Sequence, residues 1–166
     1  YDYPMAAMLM HEDELDASLT MLRDIRDLHD VSRRSPWNEV ECGDHYVRAM
    51  AGWSLLEEAA GYVYDSTQAT LTLAPRIMED GFRSFFITGS AWGVFCQETA
   101  GVDLTVDYGG LTLSELTLHA IGESVQVRLN NQPIEVDVKV ANGLVHVRFP
   151  QQVMLVAGDT LEARGI

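Results

Sequence analysis

The spacing of hydrophobic residues divides this chain into a helical first part and a β-rich second part. Between Pro4 and Asp30 apolar residues recur at steps of three and four, which predicts one amphipathic helix. A second helix is predicted from Asp44, which can cap it, to about Ala60, with Gly61 as its stop. Its predicted buried side is formed by Ala49, Trp53, Leu56 and Ala60.

After Tyr64 the spacing changes to alternation, which is the pattern of strands that bury one face. Asn142-Gly143 predicts a tight hairpin, and Gly109-Gly110 and Asn130-Asn131 are further predicted turns. The aromatic-rich stretch from Gly81 to Phe95 is predicted to be a loop. The predicted strands lie near residues 70–73, 102–106, 111–118, 125–129, 134–140, 145–149, 153–157 and 161. These elements indicate an α+β fold that ends in an antiparallel sheet.

The charge balance excludes several classes of partner. The chain has 166 residues with 11 basic and 25 acidic side chains, a net charge of −14, which would repel nucleic acid and anionic membrane surfaces. No run of about 18 apolar residues is present to form a transmembrane segment. We therefore expect a soluble protein.

Cysteine use and the start of the sequence give two further expectations. Cys42 and Cys96 lie in segments of different character, so a reducing compartment such as the cytoplasm is expected rather than a disulfide framework. The sequence begins with Tyr1, and no secretory signal pattern precedes the first helix. This start is what we expect of part of a longer polypeptide.

One block between the predicted helices is specific enough to suggest a family. Residues 36–50, PWNEVECGDHYVRAM, closely resemble a segment late in the catalytic domain of glycoside hydrolase family 116, the non-lysosomal glucosylceramidase and β-glucosidase family. Residues 3–10, 73–76 and 91–95 also resemble flanking segments of that family. Val40 and Val47 differ from the commonest family residues but stay apolar. The resemblance covers roughly the first hundred residues.

The resemblance implies both an architecture and a reaction. Residues 1–98 would be the closing helices of an (α/α)6-barrel catalytic domain with a trailing segment, and residues 99–166 an appended antiparallel β-rich region. The family hydrolyses β-glucosides with retention, which needs two carboxyl groups about 5 Å apart. In the family these are a glutamate and an aspartate upstream of the matched block. We therefore expect no catalytic residue here and no activity from this chain alone.

The resemblance also implies which residues contact the sugar. The family residues that match Glu39 and Arg48 bind glucose hydroxyls, and no cofactor is expected. A carboxylate accepts hydrogen bonds from neighbouring hydroxyls and a guanidinium donates in a fixed fork, which suits a polyol. Four nearby side chains are further candidates for contacting the sugar or shaping its site: Trp37, Asp44, His45 and Tyr46.

Plainer readings of the same residues stay open. Glu39 and Arg48 can form a structural ion pair, and Asp44 can cap its helix or pair with Arg48 four residues later. A metal site is not expected, because Glu41, Cys42, Asp44 and His45 match neither a C-x-x-C nor an H-E-x-x-H spacing.

Two functional hypotheses follow. The first is the C-terminal part of a β-glucosidase or glucosylceramidase, which would act on a β-glucoside or glucosylceramide-like substrate together with the upstream part of the enzyme. The alternative is a non-catalytic carbohydrate-binding or structural α+β module. A family-like protein that has lost its activity is also compatible with the sequence.

Overall fold

A computed structural model describes residues 2–30, 32, 51–77, 81–119, 121–122 and 124–166. Its helices are α1 (Asp2–His11), α2 (Leu15–Leu28) and α3 (Trp53–Ala60). Its strands are β1 (Tyr62–Asp65), β2 (Thr70–Leu73), β3 (Phe82–Ile87), β4 (Ala91–Glu98), β5 (Gly101–His119), β6 (Val125–Leu129), β7 (Gln132–Ile134), β8 (Asp137–Ala141), β9 (Leu144–Val156) and β10 (Thr160–Gly165). The predicted α+β class is confirmed, since these helices precede a mainly β region.

The chain forms two compact units, Tyr1–Ala59 and Ala60–Ile166. In the part of the chain that the structure describes, no helix has the length and apolar character needed to span a bilayer. The predicted division at residue 98 concerns the domains of a whole enzyme and stays a prediction. The (α/α)6 barrel likewise stays a proposal.

The first predicted helix is in fact two helices, α1 and α2. Asp13 has a positive φ of 62°, the Glu14 N–H donates to Leu9 O at 2.9 Å, and the Asp13 N–H donates to Met10 O at 3.2 Å. These two bonds form a Schellman motif, which ends a helix with one left-handed residue. The prediction of one helix was wrong because aspartate, rather than the more usual glycine, occupies the left-handed position.

The helices of the first unit pack around a small apolar cluster. The Ser18 hydroxyl donates to the Ala6 carbonyl at 2.7 Å, which satisfies a buried polar group between α1 and α2. The predicted buried side of α3 was wrong for Trp53 and Leu56, which are 59% and 48% exposed, and right for Ala60, which is buried. Leu55 is buried instead, and Ala49 lies outside the described residues. The cluster consists of Tyr3, Ala6, Ala7, Met10, Ile25 and Leu55.

The second unit contains two sheets that share strand β5. Residues 101–109 of β5 pair with β4, and residues 101–105 also pair with β10. Residues 110–119 of β5 pair with β9, and residues 115–118 also pair with β2. The first sheet therefore has the order β1-β2-β5-β9-β8, and the second has the order β3-β4-β5-β10-β6-β7.

One hydrophobic core joins the two sheets. The first sheet contributes Leu71, Leu73, Leu116, Leu118, Val145 and Val147, and the second contributes Phe86, Phe95, Leu104, Val106, Val127 and Leu161. All of these side chains are almost completely buried. Because apolar faces of both sheets meet in a single cluster, the unit is a β-sandwich.

The predicted turn at Gly109-Gly110 was wrong, because β5 continues through both glycines. Gly109 has a φ of 80°, and a Cβ atom built on it would lie 1.9 Å from the Ser90 carbonyl oxygen. Glycine is needed here for a bend and a close backbone approach. This bend lies where β5 passes from one sheet to the other.

Other predictions about turns are confirmed. Asn142 and Gly143 have φ values of 53° and 76° and join β8 to β9, as expected for a type I′ hairpin. Asn130 and Asn131 join β6 to β7 with φ values of 50° and 66°. Helix α3 ends at Ala60, directly before the predicted stop at Gly61.

Three strand predictions need correction. The stretch from Gly81 to Phe95 is the antiparallel hairpin β3–β4 rather than a loop, because Phe82, Ser84 and Phe86 alternate toward the core. The predicted strand at residues 153–157 is the end of β9, which begins at Leu144. The sheet is not wholly antiparallel, since β2 runs parallel to β5.

We predict that Gly109→Ala lowers the free energy of unfolding by about 3 kcal/mol, because the new methyl group meets backbone and the φ is left-handed. Gly143→Ala is the matched control, since it shares a positive φ but has no atom within 4 Å of the built Cβ. Its expected loss is about 1 kcal/mol. Urea midpoints at an unchanged m-value measure both losses. Equal losses would contradict the close-approach explanation.

Candidate functional site

All six sequence-predicted site residues lie outside the residues that the structure describes. They are Trp37, Glu39, Asp44, His45, Tyr46 and Arg48. The structure therefore neither brings them together nor separates them. Their assignment as a sugar-binding site stays a prediction.

The described residues contain a polar cleft on the β-sandwich, on the outer face of the first sheet. It has a volume of about 390 Å³ and is lined by Glu115, Asp137, Val138, Lys139, His146 and Arg148. Their backbones come from three neighbouring strands, β5, β9 and β8. Charged side chains make up most of its lining.

Strand register explains why these side chains meet. Glu115 on β5 lies opposite Arg148 on β9, which in turn lies opposite Asp137 on β8. Two residues along each strand, Thr117 lies opposite His146, and His146 lies opposite Lys139. Because side chains two positions apart share a sheet face, both rows project on the same side.

Glu115 is the centre of the hydrogen bonding in this cleft. Its Oε1 atom lies 3.3 Å from His146 Nδ1, and its Oε2 atom accepts from Arg148 Nη2 at 3.3 Å. The His146 Nδ1 atom also lies 3.2 Å from the Thr117 hydroxyl oxygen. A proton on Nδ1 would be donated toward these two oxygens.

An irregularity in the sheet aims Glu115 into this position. The register of β5 with β9 shifts between Leu113 and Glu115, so Ser114 faces a longer segment of β9. Gln152 Nε2 donates to the Ser114 hydroxyl at 3.1 Å and bridges this bulge. Bulges re-aim side chains and are frequent beside functional sites.

The chemistry of the cleft fits a structural role better than a catalytic one. The Arg148 side chain is 72% exposed, so its ion pair with Glu115 is screened and worth little. The side chains that line the cleft include no Trp, Tyr or Phe ring, which a sugar pocket usually has as an apolar wall. Cross-strand pairing of opposite charges explains the arrangement.

Sequence reasoning predicted the strands that carry this cluster but not the cluster itself. The contacts of His146 with Glu115 and Thr117 are those of a histidine on a sheet surface whose ring nitrogen has polar partners. Glu115 was missed, because the register that joins it to residues 146 and 148 is not visible in local spacing. Alternation of polar residues along β8 and β9 was the available signal.

Metal and thiol chemistry find little support among the described residues. Within them, no group of three or more His, Cys, Asp or Glu side chains is placed to hold a metal ion. Cys96 is not in a disulfide. Burial raises the pKa of its thiol, and the carboxylates of Glu98 and Asp103 raise it further, so it stays protonated at neutral pH.

Comparison with known proteins gave partial structural likenesses. No protein-family model matches the chain, and no curated protein matches it. A GH127 β-arabinofuranosidase matches 71% of this chain and 21% of its own, with 15% identity and a TM-score of 0.40. A GH127 β-L-arabinofuranosidase from Geobacillus stearothermophilus T6 matches 71% of this chain and 19% of its own, with 17% identity and a TM-score of 0.39.

An α-L-rhamnosidase from Dictyoglomus thermophilum matches 70% of this chain and 13% of its own, with 11% identity and a TM-score of 0.39. All three proteins are glycoside hydrolases. The chain spans about a fifth or less of their lengths. A likeness this distant and partial does not transfer a substrate.

We predict that Glu115→Ala lowers the free energy of unfolding by about 1 kcal/mol, because it removes the shared partner of His146 and Arg148. Arg148→Ala should cost only a few tenths of a kcal/mol, since that side chain is mostly in solvent. Urea unfolding of both variants and of the double variant gives the coupling between them. A loss from Arg148→Ala as large as that from Glu115→Ala would contradict this account.

Proposed function

We propose that this chain is the C-terminal part of a retaining glycoside hydrolase that removes terminal β-linked glucose from a β-glucoside or a glucosylceramide. The observation that carries the proposal is the block at residues 36–50, which resembles glycoside hydrolase family 116 over fifteen consecutive positions. The catalytic carboxylates lie elsewhere in the enzyme. The contribution of this chain is substrate recognition.

Glu39 and Arg48 hold the hydroxyls of the glucose ring in this proposal. The carboxylate accepts hydrogen bonds from neighbouring hydroxyls, and the guanidinium donates to the ring's other oxygens. Trp37 and Tyr46 supply apolar walls, and Asp44 and His45 shape the site around them. Such contacts matter for rate when they tighten as the ring distorts toward the transition state.

The first unit has features that support a place in a larger helical assembly. Helix α1 is apolar on all sides, with Tyr3 and Met10 buried and Met5 and Met8 exposed. A helix of this kind is normally covered on every side in a globular protein. This supports the proposal that α1 and α2 are among the closing helices of an (α/α)6 barrel.

A self-contained, non-catalytic α+β module is the second candidate. The observation that favours it is the β-sandwich of residues 60–166, which has a complete hydrophobic core of its own. A module with its own core can fold and bind without a catalytic partner. The first experiment below separates the two candidates.

We predict that this chain alone does not hydrolyse an aryl β-glucoside, and that the longer enzyme in which it is embedded does. The reason is that retention needs two carboxyl groups, both of which lie outside this chain in the proposal. Release of the chromogenic aglycone measures both proteins under the same conditions. Hydrolysis by the isolated chain would show that the catalytic carboxylates lie within it, contrary to the proposal. Inactivity of both proteins would reject β-glucosidase function.

We predict that Glu39→Gln and Arg48→Ala in the longer enzyme each lower kcat/KM for the aryl β-glucoside by about 10- to 100-fold. Each change removes a charge-assisted hydrogen bond to the sugar, worth about 1.5–3 kcal/mol. Glu41→Gln is the matched control in the same block and should be nearly neutral, because no sugar contact is assigned to that carboxylate. An unchanged kcat/KM in both site variants would reject the assignment.

A further inference from the structure

Three large side chains form an exposed row across neighbouring strands of the second sheet. Ile87 on β3 lies directly opposite Trp92 on β4, and Trp92 lies directly opposite Tyr108 on β5. Their exposed fractions are 61%, 50% and 64%. Most large apolar side chains of this sandwich are buried, so an exposed row of this kind calls for an explanation.

The two aromatic rings in this row are nearly parallel. The ring centroids of Trp92 and Tyr108 are 6.1 Å apart, and the angle between the ring planes is 17°. The register shifts between Trp92 and Gly93, so Asp107 is left without a partner on β4 and the strand bulges beside Tyr108. The two rings are stacked on each other, and each side chain is at least half exposed to solvent.

Hydrogen bonds hold the backbone beneath these rings in place. In the β3–β4 turn, the Thr88 N–H donates to Ala91 O at 2.8 Å, and the Ala91 N–H donates to the Thr88 hydroxyl at 2.9 Å. The Ser90 hydroxyl donates to Gly110 O at 2.8 Å, which ties this turn to β5. The backbone that carries both rings is therefore fixed before any ligand arrives, which lowers the entropic cost of binding.

We propose that Trp92 and Tyr108 form a binding platform for neutral pyranose rings of an oligosaccharide. The face of an aromatic ring carries partial negative charge, and the C–H groups on the flat side of a pyranose carry partial positive charge. In nucleic-acid complexes, removal of one aromatic ring on which a ligand stacks weakens binding by about tenfold or more, which sets the scale here. Exposed hydroxyl and carboxylate groups of Ser90 and Asp107 stand next to the rings in sequence and can accept hydrogen bonds.

The small size of the row and the negative charge of the chain favour a glycan over a protein partner or an anionic ligand. With Phe85, which is 37% exposed on the same face of β3, the row gives four exposed apolar side chains, whereas a stable protein interface takes about 20–30 residues from each partner. An anionic ligand is disfavoured by the net charge of −14. A neutral sugar needs neither a large surface nor a cationic one.

This platform lies outside the block at residues 36–50, so it is a sugar contact beyond the proposed function. Only the choice of glucose as the test sugar rests on that function. The probe is a hexasaccharide of β-1,4-linked glucose, titrated into the 166-residue chain and followed by calorimetry or by NMR shifts.

We expect Trp92→Leu to weaken binding of this hexasaccharide about tenfold or more, because leucine keeps apolar area but removes the aromatic face. Trp92→Phe should retain most of the binding, and Tyr108→Leu should weaken it. Val63→Ala is the control, since Val63 is equally exposed but lies on β1 in the first sheet. Urea midpoints confirm that each variant is folded.

Three results would overturn the proposal. They are equal binding by Trp92→Leu and the wild type, no binding of the hexasaccharide by the folded wild-type chain, and a self-association that Trp92→Leu abolishes. Hydrolysis of the aryl β-glucoside by the longer enzyme is expected to be unchanged by Trp92→Leu, since that substrate carries one sugar ring. Loss of oligosaccharide binding and loss of glucosidase function are thus separate outcomes.

Discussion

The β-sandwich depends on a single strand that serves two sheets. The N-terminal half of β5 pairs with β4 and β10, and its C-terminal half pairs with β9 and β2. The change of partners needs a bend, and Gly109 provides it at a point where the Ser90 carbonyl leaves no room for a side chain. Because of this bend, the apolar side chains of both halves of β5 lie in the one hydrophobic core between the sheets.

The outer faces of the two sheets each carry a distinctive group of side chains. The outer face of the first sheet carries charged rows around Glu115 that pair across strands, and that of the second carries the exposed row of Ile87, Trp92 and Tyr108. The charged side chains of the cleft already have partners across the strands. Exposed aromatic rings, in contrast, are stabilised when a ligand covers their apolar surface. This difference is why the aromatic row, and not the more conspicuous polar cleft, is the stronger place to look for sugar contact.

Local chemistry made part of this fold predictable. The turns at residues 130–131 and 142–143 require residues that tolerate positive φ. Asparagine and glycine do so, and their presence in the sequence predicts these turns. The bend at Gly109 was misread because a glycine needed for close approach looks the same as a glycine in a turn. Asp13 was missed for the opposite reason, since a left-handed residue that ends a helix is more often glycine. The pairing of Glu115 with residues 146 and 148 depends on register between distant strands, which no local pattern encodes. The candidate sugar site at residues 36–50 rests on sequence alone.

Strand order in the second sheet also constrains how the sandwich folds. β10 lies between β5 and β6, although it follows both of them in the chain. The β6–β7 hairpin forms locally, but it has no pairing partner in the sheet until β10 inserts beside β5. Such non-local pairing requires the loss of loop-closure entropy before any stabilising contact forms, and this slows folding. Formation of the sandwich is therefore expected to be slow and to be completed by its last strand, with the edge of β5 open to mispairing until then.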